Sequence, residues 1–90
     1  MNEKPECINI NGTKRWYLNC KLHREDGPAV EYTDGYKAWY QDGKSHREDG
    51  PAVVRANGTK QWFIKGKQVT VRYMIEQGYI TEEEAFIELL

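Results

Sequence analysis

Residues 23–30, His-Arg-Glu-Asp-Gly-Pro-Ala-Val, return letter for letter as residues 46–53. The offset of 23 residues runs through the chain. It relates Gly12, Gly35 and Gly58, then Lys14, Lys37 and Lys60, then Trp16, Trp39 and Trp62, then Lys21, Lys44 and Lys67. Residues 12–34 and 35–57 agree at 13 of 23 positions, too many for coincidence. Pro5 stands where Pro28 and Pro51 stand, and Cys7 where Val30 and Val53 stand. A fixed period of this length marks a stacked repeat, in which each unit is one small structural element that only its neighbours can bury. The repeated part spans residues 5–69.

Turn chemistry sets what each unit is. Asn11-Gly12, Asp34-Gly35 and Asn57-Gly58 are the dipeptides of two-residue hairpin turns, whose central residues both need positive φ. A second turn falls at Asn19-Cys20, Asp42-Gly43 and Lys65-Gly66. Cys20 takes the place of glycine there, so strain or a different turn is expected. The third turn is Glu25-Asp26-Gly27-Pro28 and its copy Glu48-Asp49-Gly50-Pro51, with proline opening the next strand. Three turns per unit, separated by short runs rich in Val, Ile, Tyr and Trp, predict an antiparallel β-meander of three hairpin repeats.

Counting across the turns predicts the pairs. Val30 falls opposite Trp39, and Trp39 opposite His46. The other units give Cys7–Trp16–His23 and Val53–Trp62–Val69. The three indoles then form a continuous buried spine, while Tyr17, Tyr40 and Phe63 point the other way beside Ala29 and Ala52.

The period breaks near residue 69. Val71, Met74 and Ile75 have helical spacing, with Thr70 as N-cap and Gly78 as the stop. Thr81 and Glu84 form a capping box for a second helix, with Glu82, Glu83 and Glu84 in its first turn and Ala85, Phe86, Leu89 and Leu90 as its apolar side. Residues 70–90 therefore read as one or two short helices capping the open end of the stack. Residues 1–90 make a single domain.

Composition narrows the function. The formal net charge of -1 gives no general pull toward nucleic acid or anionic lipid. No apolar run approaches the roughly 20 residues of a membrane span. Met1 to Pro5 lack the pattern of a secretory signal, so the expected location is the cytoplasm, and two cysteines without a CxxC pattern are expected as free thiols. No glycine-rich phosphate loop is present, and Ser45, the only serine, has no relay placed on it. His23 and His46 with Asp26 and Asp49 are metal or acid–base candidates. Valine at the third copy of that histidine position, Val69, argues for packing instead, with each ring covering Trp16 or Trp39 and one nitrogen on backbone. Arg24 and Arg47 are expected to pair with acids of adjacent units, and Asp26 and Asp49 to shape their turns through side-chain-to-backbone bonds.

No catalytic, cofactor-binding or metal-binding residue is assigned, and the chain reads as a non-enzymatic binding protein. The expected partner surface is Tyr17, Tyr40 and Phe63 with Arg15, Arg24 and Arg47, since Tyr and Arg are frequent interface anchors. Lysines interleaved with those aromatics, at Lys14, Lys37 and Lys60, give the alternative of nucleic-acid or nucleotide binding. An open strand edge at residues 5–11 leaves monomer and homodimer both open.

The run Trp-Tyr-x-x-Gly-Lys-x-His-Arg-Glu-Asp-Gly-Pro-Ala-Val, at residues 39–53, resembles the HREDGPA-type repeats found in proteins of large bacteriophages, giant viruses and some bacteria. These are akin to MORN repeats, which share the 23-residue period and the Gly- and aromatic-rich hairpins. The resemblance covers residues 5–69. It implies a scaffold or interaction surface, and a small viral accessory protein that binds and inhibits a host protein.

Overall fold

The computed structural model describes residues 4–89, with side chains as far as Ile87. Met1, Asn2 and Glu3 of the N-terminal segment, and the expected apolar contribution of Leu89 and Leu90, lie outside the described side chains. Ten short strands precede two helices: β1 (Glu6–Ile10), β2 (Thr13–Leu18), β3 (Lys21–Leu22), β4 (Val30–Glu31), β5 (Lys37–Ala38), β6 (Tyr40–Gln41), β7 (Lys44–Ser45), β8 (Val53–Val54), β9 (Lys60–Ile64), β10 (Lys67–Val69), α1 (Val71–Glu76) and α2 (Glu82–Leu89). All strand pairs are antiparallel, and the main sheet runs β1-β2-β4-β5-β8-β9-β10, with β3 on β2 and β6 paired to β7. The fold is the expected hairpin meander closed by two short helices.

The hairpin turns divide into two kinds. Asn11 and Gly12 both take positive φ, 53° and 86°, and join Ile10 to Thr13 through a two-residue loop. Asp42-Gly43 and Lys65-Gly66 do the same. Asn19-Cys20 adopts this turn too, with Cys20 held at φ 63° although it has a side chain. The loops at Gly35 and Gly58 differ from expectation. Gly35 N–H donates to Tyr32 O at 3.2 Å and Tyr32 N–H to Tyr36 O at 2.9 Å, so the loop is Thr33-Asp34-Gly35. Arg55, Gly58 and Thr59 repeat this geometry. Asp34 and Asn57 do not enter the left-handed region. Their side chains accept the N–H two residues on, at Tyr36 and Thr59, which favours the longer loop.

That extra residue shifts the register by one. Val30 lies opposite Ala38, not Trp39, and Val53 opposite Gln61, not Trp62. Cys7 faces Trp16 and Val69 faces Trp62 as counted. Trp16 N–H donates to Ala29 O at 2.9 Å and Trp39 N–H to Ala52 O at 2.7 Å. The row across the sheet is therefore Trp16, Ala29, Trp39, Ala52, Trp62. The indoles share a face, but an alanine separates each from the next, and the continuous indole spine is corrected to alternating large and small side chains. Trp16 and Trp39 are half-buried, and Trp62 is buried. The alanines are on the Trp face, not beside Tyr40 and Phe63. Cys7, expected in the core row, is exposed.

Two apolar clusters hold the molecule together. Val30, Ala38 and Val53 pack with Leu22, Tyr36, Tyr40 and Phe63 on the face away from the indoles. Trp62 and Ile64 pack with Met74, Ile80 and Ala85 under the helices. Thr70 Oγ1 accepts Tyr73 N–H at 3.0 Å at the start of α1, and Gly78 at φ 80° ends it with a Schellman pair, Gly78 N–H to Ile75 O and Tyr79 N–H to Met74 O. Thr81 and Glu84 make the expected reciprocal box. Phe86 departs from its assignment: Ala85 faces the core, and Phe86 stands in solvent. At 35 × 33 × 18 Å the molecule is a slab too thin for one deep core, so polar contacts must link its units.

Candidate functional site

Those polar contacts are made by the HRED segment. His23 and His46 are buried, 8% and 6% exposed. The backbone joins each to its tryptophan, since His23 N–H donates to Trp16 O and His46 N–H to Trp39 O, both at 3.0 Å. Each ring then reaches forward. His23 Nδ1 accepts the N–H of Asp42 at 3.0 Å, and His46 Nδ1 accepts the N–H of Lys65 at 2.9 Å. An accepting Nδ1 places the neutral ring's proton on Nε2, which faces Glu48 at 3.1 Å and Glu25 at 4.0 Å. The histidine of one unit thus caps the second turn of the next. Val69 fits this geometry: among the described residues two helices follow it, and no further hairpin turn for an imidazole to cap.

The following arginine performs the part expected of the histidine ring. Arg24 Cζ lies 3.9 Å from the centre of the Trp16 ring and Arg47 Cζ 4.0 Å from that of Trp39. A guanidinium held over an indole contributes about 0.5–2 kcal/mol, more as water is excluded. Each is fixed from behind. Arg24 Nε donates to Asp26 at 3.0 Å and its terminal nitrogen to Pro28 O at 3.2 Å, while Arg47 repeats this with Asp49 at 2.8 Å and Pro51 O at 3.1 Å. The pairing is within one loop, not between units as expected, although Arg24 also lies 3.6 Å from Glu31. The two aspartates hold the arginine and do not act by backbone capping. Glycine follows because the guanidinium folds back over it. A Cβ on Gly27 would stand 3.0 Å from Arg24 Cζ, and one on Gly50 2.8 Å from Arg47 Cζ.

Stacking these loops leaves grooves between them. One, of about 630 Å³, lies between Arg24-Glu25-Asp26 and the Trp39, His46 and Glu48 of the next unit. A second, lined by Trp16, Leu18, His23, Arg24, Glu25 and Asp26 together with Lys4 and Pro5, is its counterpart one period earlier. The side chains of Glu25, Asp26, Glu48 and Asp49 are mostly exposed along this edge. The candidate site is therefore a repeated, open groove with carboxylates on its rim and arginine-covered indoles behind.

The structure divides the six residues expected to bind a partner. Arg24 and Arg47 line this groove with their guanidinium groups already engaged. Tyr40 and Phe63 are half-buried on the opposite face against Val30, Ala38 and Val53. Tyr17 lies at the β1 end, beside Ile8, Leu18 and Cys20 in a third depression. Arg15 sits near it, 5.8 Å from the Tyr32 ring. Glu25 and Glu48, which the sequence offers with Arg24, Arg47, Asp26 and Asp49 as a surface for a charged partner but which read first as structural, line this groove. Their signal was present in the exact repetition of an acid that no turn requires. Among the described residues, no three His, Cys, Asp or Glu side chains gather as metal ligands, and no helix is long and apolar enough to cross a membrane.

Comparison with family models, with curated proteins and with solved structures returns no match to this chain.

Proposed function

We propose that this chain is a non-enzymatic protein-interaction module that offers its repeated HRED groove to a partner protein. One observation carries the proposal. The groups that could perform chemistry are engaged in the fold, with His23 and His46 on backbone amides of the next unit and Arg24 and Arg47 on the indoles of their own. What lies outward is a periodic rim of exposed carboxylates, Glu25 and Glu48 on the histidine side and Asp26 and Asp49 on the arginines. A partner segment carrying Lys or Arg complements it, and such charge pairing governs encounter and register more than total affinity. The resemblance to HREDGPA-type repeats supports a viral accessory protein that acts in a host cytoplasm by binding and inhibiting a host protein.

The nucleic-acid alternative needs exposed rings for bases to stack on. Tyr40 and Phe63 lie against the core, and the HRED rim is acidic, so the protein-binding role is favoured. Affinity capture from a bacterial lysate tests it. Glu25→Lys with Glu48→Lys should abolish capture of a reproducible partner, while Lys37→Ala should leave it intact. Capture that survives the double reversal, or binding only to single-stranded oligonucleotides at low salt, would overturn the proposal.

A further inference from the structure

The two ends of the sheet are unlike, and each exposes apolar surface. Among the described residues β1 is the first strand of the sheet and pairs only with β2. All five of its residues are exposed, with Ile8 at 50% and Ile10 at 59%. At the other end α1 and α2 cover Trp62 and Ile64, yet α2 turns Phe86 and Ile87 outward, 65% and 61% exposed. A groove lined by Val71, Ile75, Ala85 and Phe86 runs between the helices. Of the six large apolar residues exposed in the described chain, Ile8, Ile10, Tyr73, Phe86 and Ile87 stand at these two ends. Scattered exposure of this kind is ordinary, but its concentration at the two ends of one sheet is a sign of contact surfaces.

We propose that a second copy of this chain occupies these surfaces head to tail, the β1 end of one molecule seated on the α1–α2 cap of the next. Charge selects this arrangement. The β1 end carries Lys4, Lys14 and Arg15 against Glu6 and Glu31, and the cap end carries Glu76, Glu82, Glu83 and Glu84 against Arg72 and the Lys67 of β10, so the first is net positive and the second net negative. Like ends repel and unlike ends attract, which disfavours pairing of two β1 edges. The contact joins two different patches, so it is heterologous and extends the 23-residue stack from molecule to molecule as an open chain or a ring. It also covers the unpaired β1 edge, a hazard that sheet proteins otherwise shield. Lys4 borders the earlier HRED groove as well, but Ile8, Ile10, Phe86 and Ile87 line neither HRED groove, so this contact and the proposed partner binding can fail independently.

Sedimentation of the full chain over a range of concentrations tests the proposal. The mass is expected to rise past that of a dimer without a plateau there, and to fall as salt screens the ends. Ile8→Asp with Ile10→Asp spoils one end, and Phe86→Lys with Ile87→Lys the other. Each variant alone should associate at least about tenfold more weakly. An equal mixture of the two, each retaining one intact end, should form a one-to-one dimer. The milder Glu82→Lys and Glu83→Lys changes, at exposed positions, should weaken association of a chain with unchanged circular dichroism. A wild-type chain that stays monomeric, a dimer plateau that survives the Phe86 and Ile87 changes, or a mixture that remains monomeric would overturn it.

Discussion

His46 Nδ1 accepts the backbone N–H of Lys65, 19 residues further on, at 2.9 Å. This bond joins the second unit to the third, and its counterpart from His23 to Asp42 joins the first to the second. Removing the acceptor leaves a part-buried amide without a partner, which costs about 1–3 kcal/mol. His46→Ala and His23→Ala should each lower the free energy of unfolding by about that amount in urea titrations. Equal stability in both variants would show that the turns need no cap.

Gly50 is there for the guanidinium of Arg47. A Cβ at that position would stand 2.8 Å from Arg47 Cζ. Gly50→Ala should push the arginine off Trp39 and destabilise by about 1–2 kcal/mol, the combined loss of the cation–π contact and its supporting bonds. The cost should shrink in an Arg47→Ala background, because nothing remains to collide with. A double-mutant cycle measures this, and additive losses would contradict the packing described.

Cys20 sits at φ 63° where Gly43 and Gly66 occupy the same place in the later units. A side chain in the left-handed region costs about 1 kcal/mol relative to glycine. Cys20→Gly should therefore raise the thermal midpoint. An unchanged or lower midpoint would mean that the thiol compensates for the backbone.

Tyr36 gives a pH dependence. Burial, together with the nearby Tyr40 and Tyr32, raises its hydroxyl pKa above 10.0, although Arg55 pulls the other way. The unfolded chain then loses this proton first. Stability should be unaffected below about pH 10 and should fall as the pH climbs from there toward the folded-state value. Tyr36→Phe should remove that part of the alkaline slope in unfolding measurements at fixed temperature.

The repeat, the places of the turns, both helix caps and the end of the stack were legible in the residues because each depends on local chemistry. Thr70, Gly78, Thr81 and Glu84 act within a few positions of themselves. The register was half legible. Asp34-Gly35 and Asn57-Gly58 look like Asn11-Gly12, but their carboxylate and amide groups bond forward to Tyr36 and Thr59, and one added loop residue moved Val30 from Trp39 to Ala38. The division of labour between His and Arg was not legible. Both can cover an indole, and only the three-dimensional stacking decides that the imidazole reaches the next turn while the guanidinium lies on the ring. The same one-residue slip decides which neighbours cover Tyr40 and Phe63: Val30, Ala38 and Val53 instead of Ala29 and Ala52.

The claim on which all of this rests is that the HRED segment is a joint between units. The most direct measurement is long-range proton–nitrogen correlation NMR on the two imidazoles at a pH where they are neutral, combined with exchange rates of the Asp42 and Lys65 amides. Both rings should be in the Nε2–H form with Nδ1 unprotonated, and both amides should be protected in the wild type and exchange rapidly once the matching histidine is replaced by alanine. Imidazoles protonated at Nδ1, or Asp42 and Lys65 amides that exchange as fast as free loop amides in the wild type, would contradict it.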